Sequence, residues 1–537
     1  MLKKIRNYLA IMIVVCLIVT VAVATPIFSN ADAIEPTATI EISKVDKEFL
    51  VEDPATAAVN SDASISVDLL EETLATTDVV DLDDSNDVLT YLASPSKIKE
   101  LKLFRPSRVD NSQSKYFPPI MDQGTLNSCT TWSTVYYQMS YAVNKALDRD
   151  AASTENVFSP SWIYTMVNEG ENYGNYYADI LKVLSEIGAV PMSKVPAITE
   201  VNGDNVRNVM ASKEMWLEAS KYRVDEYYTI DLKRNSETPV VDSPKDEDLD
   251  AIKKSLALGE VLTGTTYSYK WNKTKIKEDK RVKENSKYKG QYIVTDCTGS
   301  VKGAHRITIV GYNDNIWVDI NENNVVDKGE MGAFKIANSY GEKSDNKGFV
   351  WMAYDAINRV SALAEEGSTI NPNRDAGIFD VIGFNIAVND VENDCYAVLD
   401  VTTNDLKSLT VKVTATSDDG KKKEYEPAPF TNAMIRGMGA YPFNSSEDGA
   451  NGEFYIDLSN IVENVTKDNV DDYEWKFEIA STSQQNESVI NSFKVFTKQD
   501  NNYTDSYVEE PITLKNNMAD ITIAKEPAGY LALARYF

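Results

Sequence analysis

The sequence predicts an α+β fold followed by an all-β unit, and three observations carry that reading. Apolar residues before Gly259 recur at steps of three and four, as on one face of a helix. Between Val261 and Tyr354 they gather in short β-branched and aromatic runs, and from Asp375 onward polar and apolar residues alternate. With 43% hydrophobic residues among 537, including 29 Tyr and 16 Phe, there is enough apolar surface for several packed domains.

The chain opens with Lys3, Lys4 and Arg6 ahead of an apolar run from Tyr8 to Ala24, with small-residue sites ending at Ala24 and Ala33. That pattern is a secretory signal peptide over residues 1–33 and predicts a secreted protein. The run is long for a signal, so the alternative is an uncleaved membrane anchor. Cys16 lies inside it. Residues 34–100, rich in Ala, Thr, Ser, Asp and Glu, read as an acidic pro-segment or stalk.

A globular unit over 101–370 comes next. Ser128 is positioned to cap a helix whose apolar residues Trp132, Val135, Tyr136, Met139 and Val143 share a face, with Cys129 in the first turn. Ser159 and Pro160 mark a second helix start. Tyr177, Ile180, Leu181, Leu184 and Ile187 mark a third helix stopping at Gly188, and DLDAIKKSLALG a fourth stopping at Gly259. Strand runs follow: VLTGTTYSY, RITIVGY, GAFKIANSY and GFVWMAY. Among them NKTKIKEDKRVKENSKYKGQ reads as a solvated surface loop. GSTINPNRDAG supplies Gly, Pro and Asn for a boundary. Residues 375–537 read as a β-sandwich-like domain through SLTVKVTAT, GEFYIDL and YEWKFEI.

Fifty-four basic against 82 acidic side chains give a formal charge of −28, which argues against nucleic acid and anionic membrane surfaces as partners. Once a signal is removed, Cys129, Cys297 and Cys395 remain. An odd count in an exported chain leaves either a reactive thiol or an intermolecular bridge, and the alternative is three buried, inert thiols.

The chemistry centres on Cys129. A thiol nucleophile needs a base beside it and a third group orienting that base. The chain has one histidine, His305, so an imidazole partner has only one identity. Asn338 follows in a later strand pattern, where its side chain can hold one ring tautomer. Gln123 lies six residues before Cys129 across a glycine-containing turn, where its amide can join the Cys129 backbone N–H in facing an oxyanion.

DQGTLNSC, AHRITIVGY, and NSYG followed by GFVWMAY resemble the papain-like cysteine peptidases, in the same order and with Gln, Cys, His and Asn each on its motif position. The resemblance, to a secreted bacterial-type member with an added C-terminal β domain, runs from Phe104 to Tyr354, about half the chain. It implies a papain-like two-subdomain fold: a helical half bearing the cysteine, a β-barrel-like half bearing histidine and asparagine, and a cleft between them. It implies Cys129 as nucleophile, His305 as general base and then acid, Asn338 as orienter and Gln123 as oxyanion donor. Gly174, in GENYGNYY, is the implied glycine along which substrate backbone lies. This sequence departs from the family at Thr130, where a tryptophan is usual, at Tyr340 in place of the tryptophan of NSWG, and at Leu126 in place of a helper cysteine.

His305 and Asn338 are farther apart in sequence than that family usually allows, and the extra residues include DINENNVVDKGE. Asp319, Asn321, Asn323, Asp327 and Glu330 fall at positions 1, 3, 5, 9 and 12 of an EF-hand-type loop, with the Val325 carbonyl at position 7. Asn324 stands where a glycine is usual. The loop predicts a structural Ca2+ that would stiffen the His305–Asn338 connection; catalysis itself calls for no cofactor.

The expected function is therefore a secreted cysteine endopeptidase acting on protein or peptide substrates, off the membrane once its signal is gone. One rival is an inactive scaffold that serves as a surface binding or adhesion protein, with the C-terminal domain holding a cell-surface ligand. The other is acyl or amide transfer by the same thiol.

Overall fold

The structure is a computed structural model. It describes residues 105–536 apart from 210, 233–245, 300–302, 359–360, 362, 364–373, 389–394, 444–450, 463–469, 498–504, 507, 509 and 524–531. The signal and pro-segment expectations, with Cys16, lie outside the described residues. Among the described residues no helix is long and apolar enough to cross a membrane.

The first helix, α1, starts with an α-helical turn at Cys129–Thr131, passes into a π-helical stretch at Trp132–Met139 and returns to α-helix at Ser140–Ala146. The apolar stripe expected from its sequence is buried, and so is its polar side, including Ser133, Thr134 and Gln138. The polar face is dry because it packs against strands: the Gln138 amide donates to the Val261 and Ile382 carbonyls at 3.1 and 3.0 Å. Ser128 occupies the cap position but makes no side-chain cap bond. Instead its carbonyl accepts the Thr131 hydroxyl at 2.9 Å.

Helix α2, Pro160–Tyr164, is capped by Ser159 with proline in the first turn, as expected. Helix α3, Tyr177–Glu186, gives way to Gly188 at φ +101°, where a Cβ would sit 2.0 Å from the Ala219 carbonyl. Helix α4, Lys213–Ala219, is not foreseen from sequence because seven residues give too little periodicity to stand out. Helix α5, Asp246–Ala257, is the expected fourth and ends at Gly259.

Nine strands form one sheet: β1 Arg108–Asp110, β2 Tyr222–Asp231, β3 Leu262–Thr266, β4 Trp271–Lys275, β5 Tyr292–Cys297, β6 His305–Trp317, β7 Met331–Ala337, β8 Phe349–Ala353 and β9 Asp380–Val388. Their order is β2-β9-β3-β6-β7-β8-β5-β4, with β1 added on β6. The four expected strands are β3, β6, β7 and β8. The lysine-dense segment is not wholly loop: it supplies β4, paired with β5, and a short turn of helix at Asn285–Tyr288. By pairing, β9 belongs to this sheet, between β2 and β3, although it lies past the boundary expected at 370–375. A strand's alternation is the same whichever sheet receives it.

The remaining strands are β10 Cys395–Thr403, β11 Leu409–Ser417, β12 Lys422–Tyr425, β13 Asn451–Asp457, β14 Tyr473–Ser481, β15 Ser488–Thr497, β16 Asp505–Ser506, β17 Ile512–Leu514, β18 Asn517–Ile523 and β19 Ala532–Tyr536. They make two sheets, β13-β10-β15-β16 with β17 also on β15, and β12-β11-β14-β18-β19. Phe477 of β14 meets Phe493 of β15 at 4.8 Å between ring centroids, so the sheets face each other across an aromatic core.

This β unit is fused to the helical half. One apolar core runs from Val135 and Met139 of α1 through Trp162 and Trp216 to Phe454, Trp475 and Ile521. The rings of Trp162, Trp216 and Phe454 follow one another at 5.4 and 6.1 Å. A buried ion pair, Arg223 to Asp457 at 2.6 Å, closes the seam.

Candidate active site

The site is assembled by backbone pairing between segments far apart in sequence. Met121–Gln123 lies antiparallel to Ser339–Gly341, with the Gln123 amide donating to the Ser339 carbonyl at 2.8 Å and a bridge from Asp122 to Tyr340. This brings the start of the cysteine turn to the residues after β7. Gly124 makes the turn possible: at φ +67° a Cβ would lie 1.9 Å from the Thr199 carbonyl.

Cys129 is the first residue of α1 and is half-buried. His305 opens β6, and Asn338 directly follows β7, which pairs antiparallel with β6. A hairpin thus sets side by side two residues 33 apart in sequence. His305 Nε2 is 2.8 Å from Asn338 Oδ1, which also accepts the Ser339 amide at 2.8 Å. That contact turns the other ring nitrogen toward the cysteine.

Burial alone would raise the Cys129 thiol, but the His305 hydrogen bond and charge, the Arg306 backbone N–H and the Thr130 hydroxyl together bring it below its ordinary value. Cys297 is a contrast: it is a buried thiol with no disulfide, hence no bridge to Cys395, and burial pushes it up to about 12. Tyr340 stacks on the His305 ring at 4.7 Å and 20° between planes, so its cover falls on the imidazole as well as on the asparagine turn.

Gln123 is buried and held at both ends: its amide nitrogen donates to the Leu126 carbonyl at 2.7 Å, and its oxygen accepts the Ser339 hydroxyl. One of its two N–H hydrogens remains for a ligand. Leu126, where a helper cysteine is usual in the resembled family, packs instead with Tyr164, Val206 and Ile198.

Gly174 belongs to an irregular segment running beside this turn. Asn172 accepts the Asn127 amide at 2.8 Å and donates to the Thr125 carbonyl at 3.1 Å; the Thr130 hydroxyl reaches the Asn175 carbonyl at 3.4 Å. Open space surrounds the position of a Cβ on Gly174. Asn172, Ser339 and the Arg306 amide are contributors that the sequence did not single out. Asparagine in a polar turn and serine after asparagine carry no pattern of their own.

The loop Asp319–Glu330 lies elsewhere. It joins β6 to β7 at the end of the hairpin opposite His305 and Asn338, roughly 20 Å away along a seven-residue strand at ~3.3 Å per residue. An ion there would not directly set the His305–Asn338 geometry, contrary to the expectation. Within the loop, Asn324 is left-handed at φ +57°. Glu330 is committed to the Trp317 indole and the Ile320 amide, both at 2.7 Å, and to the Asn321 amide at 3.2 Å. Asp327 accepts from the Asn321 and Asn323 side chains at 3.2 and 2.8 Å. With the carboxylates on separate partners, the described residues include no group of three or more His, Cys, Asp or Glu gathered to hold a metal.

No protein-family model matches the chain, and no curated protein sequence matches it. Among solved structures the chain is similar to xylellain, a cysteine protease from Xylella fastidiosa, at 20% identity and a TM-score of 0.34, over 57% of this chain and 94% of that one. It is also similar to digestive procathepsin L 3 of Tenebrio molitor larval midgut, at 12% identity and a TM-score of 0.32, over 53% and 71% of the two chains. A third similarity is to procathepsin B S9 from Trypanosoma congolense, at 11% identity and a TM-score of 0.34, over 54% and 80%. At likenesses this low, the chemistry rests on the geometry of the site itself.

Proposed function

We propose that this chain is a secreted cysteine endopeptidase of the papain-like kind, hydrolysing peptide bonds through Cys129, His305 and Asn338. The observation that carries the reading is the imidazole of His305, whose Nε2 is 2.8 Å from Asn338 Oδ1 and whose influence holds the Cys129 thiol below its ordinary value. In the reaction the Cys129 thiolate attacks the peptide carbonyl. The remaining Gln123 N–H and the Cys129 backbone amide receive the oxyanion. The imidazolium of His305 then gives its proton to the leaving amine, and water, deprotonated by the same ring, releases the acyl group.

An inactive binding scaffold has no need of a thiol lowered by a neighbouring imidazole, which is the ground for preferring the enzyme. The test is active-site labelling with iodoacetamide and an intact-mass readout, together with peptide hydrolysis. One rapid alkylation at Cys129, with Cys297 unmodified and hydrolysis lost in Cys129→Ala, is the expected result. Unselective alkylation with no turnover would leave the scaffold reading. An added amine that outcompetes water for the acyl group would assign the protein to acyl transfer instead.

We also propose calcium for the loop Asp319–Glu330, with Asp319, Asn321, Asn323, the Val325 carbonyl, Asp327 and Glu330 as the donors, the last two exchanging the loop hydrogen bonds they make here for the ion. The ground is Asp319 Oδ1, a buried carboxylate oxygen with no protein partner, in a turn with a left-handed residue at its sixth position. At calcium tenfold above its Kd, binding would add about 1.4 kcal/mol of stability. The melting temperature should rise by a few degrees in wild type and stay fixed in Asp319→Ala. An unchanged wild-type melting temperature across millimolar calcium sinks this assignment.

A further inference from the structure

The C-terminal β unit sends one side chain to the edge of the active site. Between β12 and β13 its chain passes α3, and there the Asp179 carboxylate, buried in the first turn of that helix, accepts the Ile435 and Arg436 amides, each at 2.8 Å. So anchored, Arg436 reaches the segment beside Cys129. Its Nη1 donates to the Gly174 carbonyl at 2.7 Å, and its guanidinium lies 5.0 Å from the Tyr173 ring and 5.5 Å from that of Tyr176. Glu169 Oε2 stands 3.8 Å from its Nε, and the Glu169 amide donates to the Gly437 carbonyl at 3.0 Å. Arg436 is 8% exposed, so the contact is a built one and not a surface arginine at rest.

What Arg436 holds is the backbone segment that runs beside the Cys129 turn. Residues 173–176 have no regular structure of their own and are fixed by contacts to neighbours. On one side Asn172 and Asn175 tie the segment to the turn of Gln123 and Cys129; on the other, Arg436 takes the Gly174 carbonyl. Open space above Gly174 leaves room for an extended chain, and extended peptides bind by hydrogen bonds to fixed backbone groups of this kind.

We propose that Arg436 is a positioning residue for substrate: by pinning the Gly174 peptide group, the C-terminal β unit forms one bank of the peptide-binding groove. The proposal rests on the peptidase reading of Cys129. It makes the β unit a working part of substrate recognition for extended polypeptide chains, and it separates binding from thiol reactivity, because Arg436 touches the groove segment and not Cys129 or His305.

The experiment compares wild type with Arg436→Met, which keeps the aliphatic stem, Arg436→Lys, which restores a donor, and Asp179→Asn, which loosens the anchor of the loop. Labelled casein serves as the extended substrate and iodoacetamide as a probe too small to need the groove. Arg436→Met should raise KM for casein about tenfold, with kcat within twofold and the rate of Cys129 alkylation unchanged. Arg436→Lys should recover part of the loss, and Asp179→Asn should shift KM in the same direction by a smaller factor. In a Cys129→Ala background, the Kd for casein by anisotropy should rise with Arg436→Met in the same proportion.

An unchanged KM and Kd in a folded Arg436→Met variant overturns the proposal. So does a parallel fall in alkylation rate, which would mean that the residue acts through the overall fold. The binding arm needs no turnover. A wild type without hydrolysis but with an Arg436-dependent Kd would therefore defeat the peptidase reading and leave the groove assignment standing.

Discussion

At the scale of single residues, the pair Cys129 and His305 sets how thiol chemistry depends on pH. A lowered thiol is ionised at pH values where a free cysteine, at ~8.5, is protonated. Alkylation of Cys129 should therefore show its midpoint below that range. Removing the imidazole in His305→Ala leaves burial dominant and moves the midpoint upward, so the alkylation rate below the free-thiol range should fall while the rate above that range recovers in part. A midpoint that is the same in both proteins would count against the coupling of the thiol to His305. On the proposed mechanism Gln123 acts at a different step: its remaining N–H would meet charge that exists only after attack, so Gln123→Ala should lower kcat by about 10²- to 10³-fold, with the iodoacetamide rate retained. A loss in KM alone would place Gln123 in ground-state binding. The identities of these residues are legible in the sequence because one histidine and one glycine-bounded glutamine leave little choice. Ser339, which holds Gln123 by its oxygen, is not legible, since nothing local marks a serine as the partner of a residue 216 positions earlier.

At the scale of elements, the helix caps and the β6–β7 hairpin follow from local pattern. Ser159 accepts the Trp162 amide and precedes a proline in the first turn, so Ser159→Ala should cost about 1 kcal/mol in denaturant unfolding with the m-value unchanged. The same inference fails at Ser128, whose hydroxyl is buried without a partner while its carbonyl does the bonding. A cap residue read from sequence says that a helix begins there, and the neighbouring packing decides whether its side chain is used. The hairpin shows how spacing in sequence translates into distance. Thirty-three residues separate His305 from Asn338, yet they meet because β6 and β7 run out and back in antiparallel register, with the extra residues collected at the far turn. The metal-like spacing of Asp319 to Glu330 is real as a pattern. In the folded loop, Glu330 braces the turn against Trp317, so Glu330→Gln should destabilise the protein even in chelator, measurable as a lower melting temperature.

At the scale of the whole molecule, the decisive feature is a core shared between the helical half and the C-terminal β unit. Trp216 lies between Trp162 and Phe454, so Trp216→Ala should cost about 3–5 kcal/mol. A chain ending at 388 should lose cooperative unfolding and expose apolar surface, detected by dye binding. A fragment that melts as the full chain does would show the two units to be independent. The sequence by itself determined the helices-then-strands order and the alternating C-terminal strands, because periodicity and cap chemistry act over a few residues and do not depend on what packs against them, and it picked out His305 and Asn338, which the structure sets 2.8 Å apart. Only the tertiary structure decided that β9 joins the first sheet, that Asn172 to Asn175 runs beside the thiol, and that Arg436 reaches across from the β unit to hold it. Those outcomes depend on register and docking between surfaces hundreds of residues apart: a buried position announces itself in the sequence, but the surface that buries it does not.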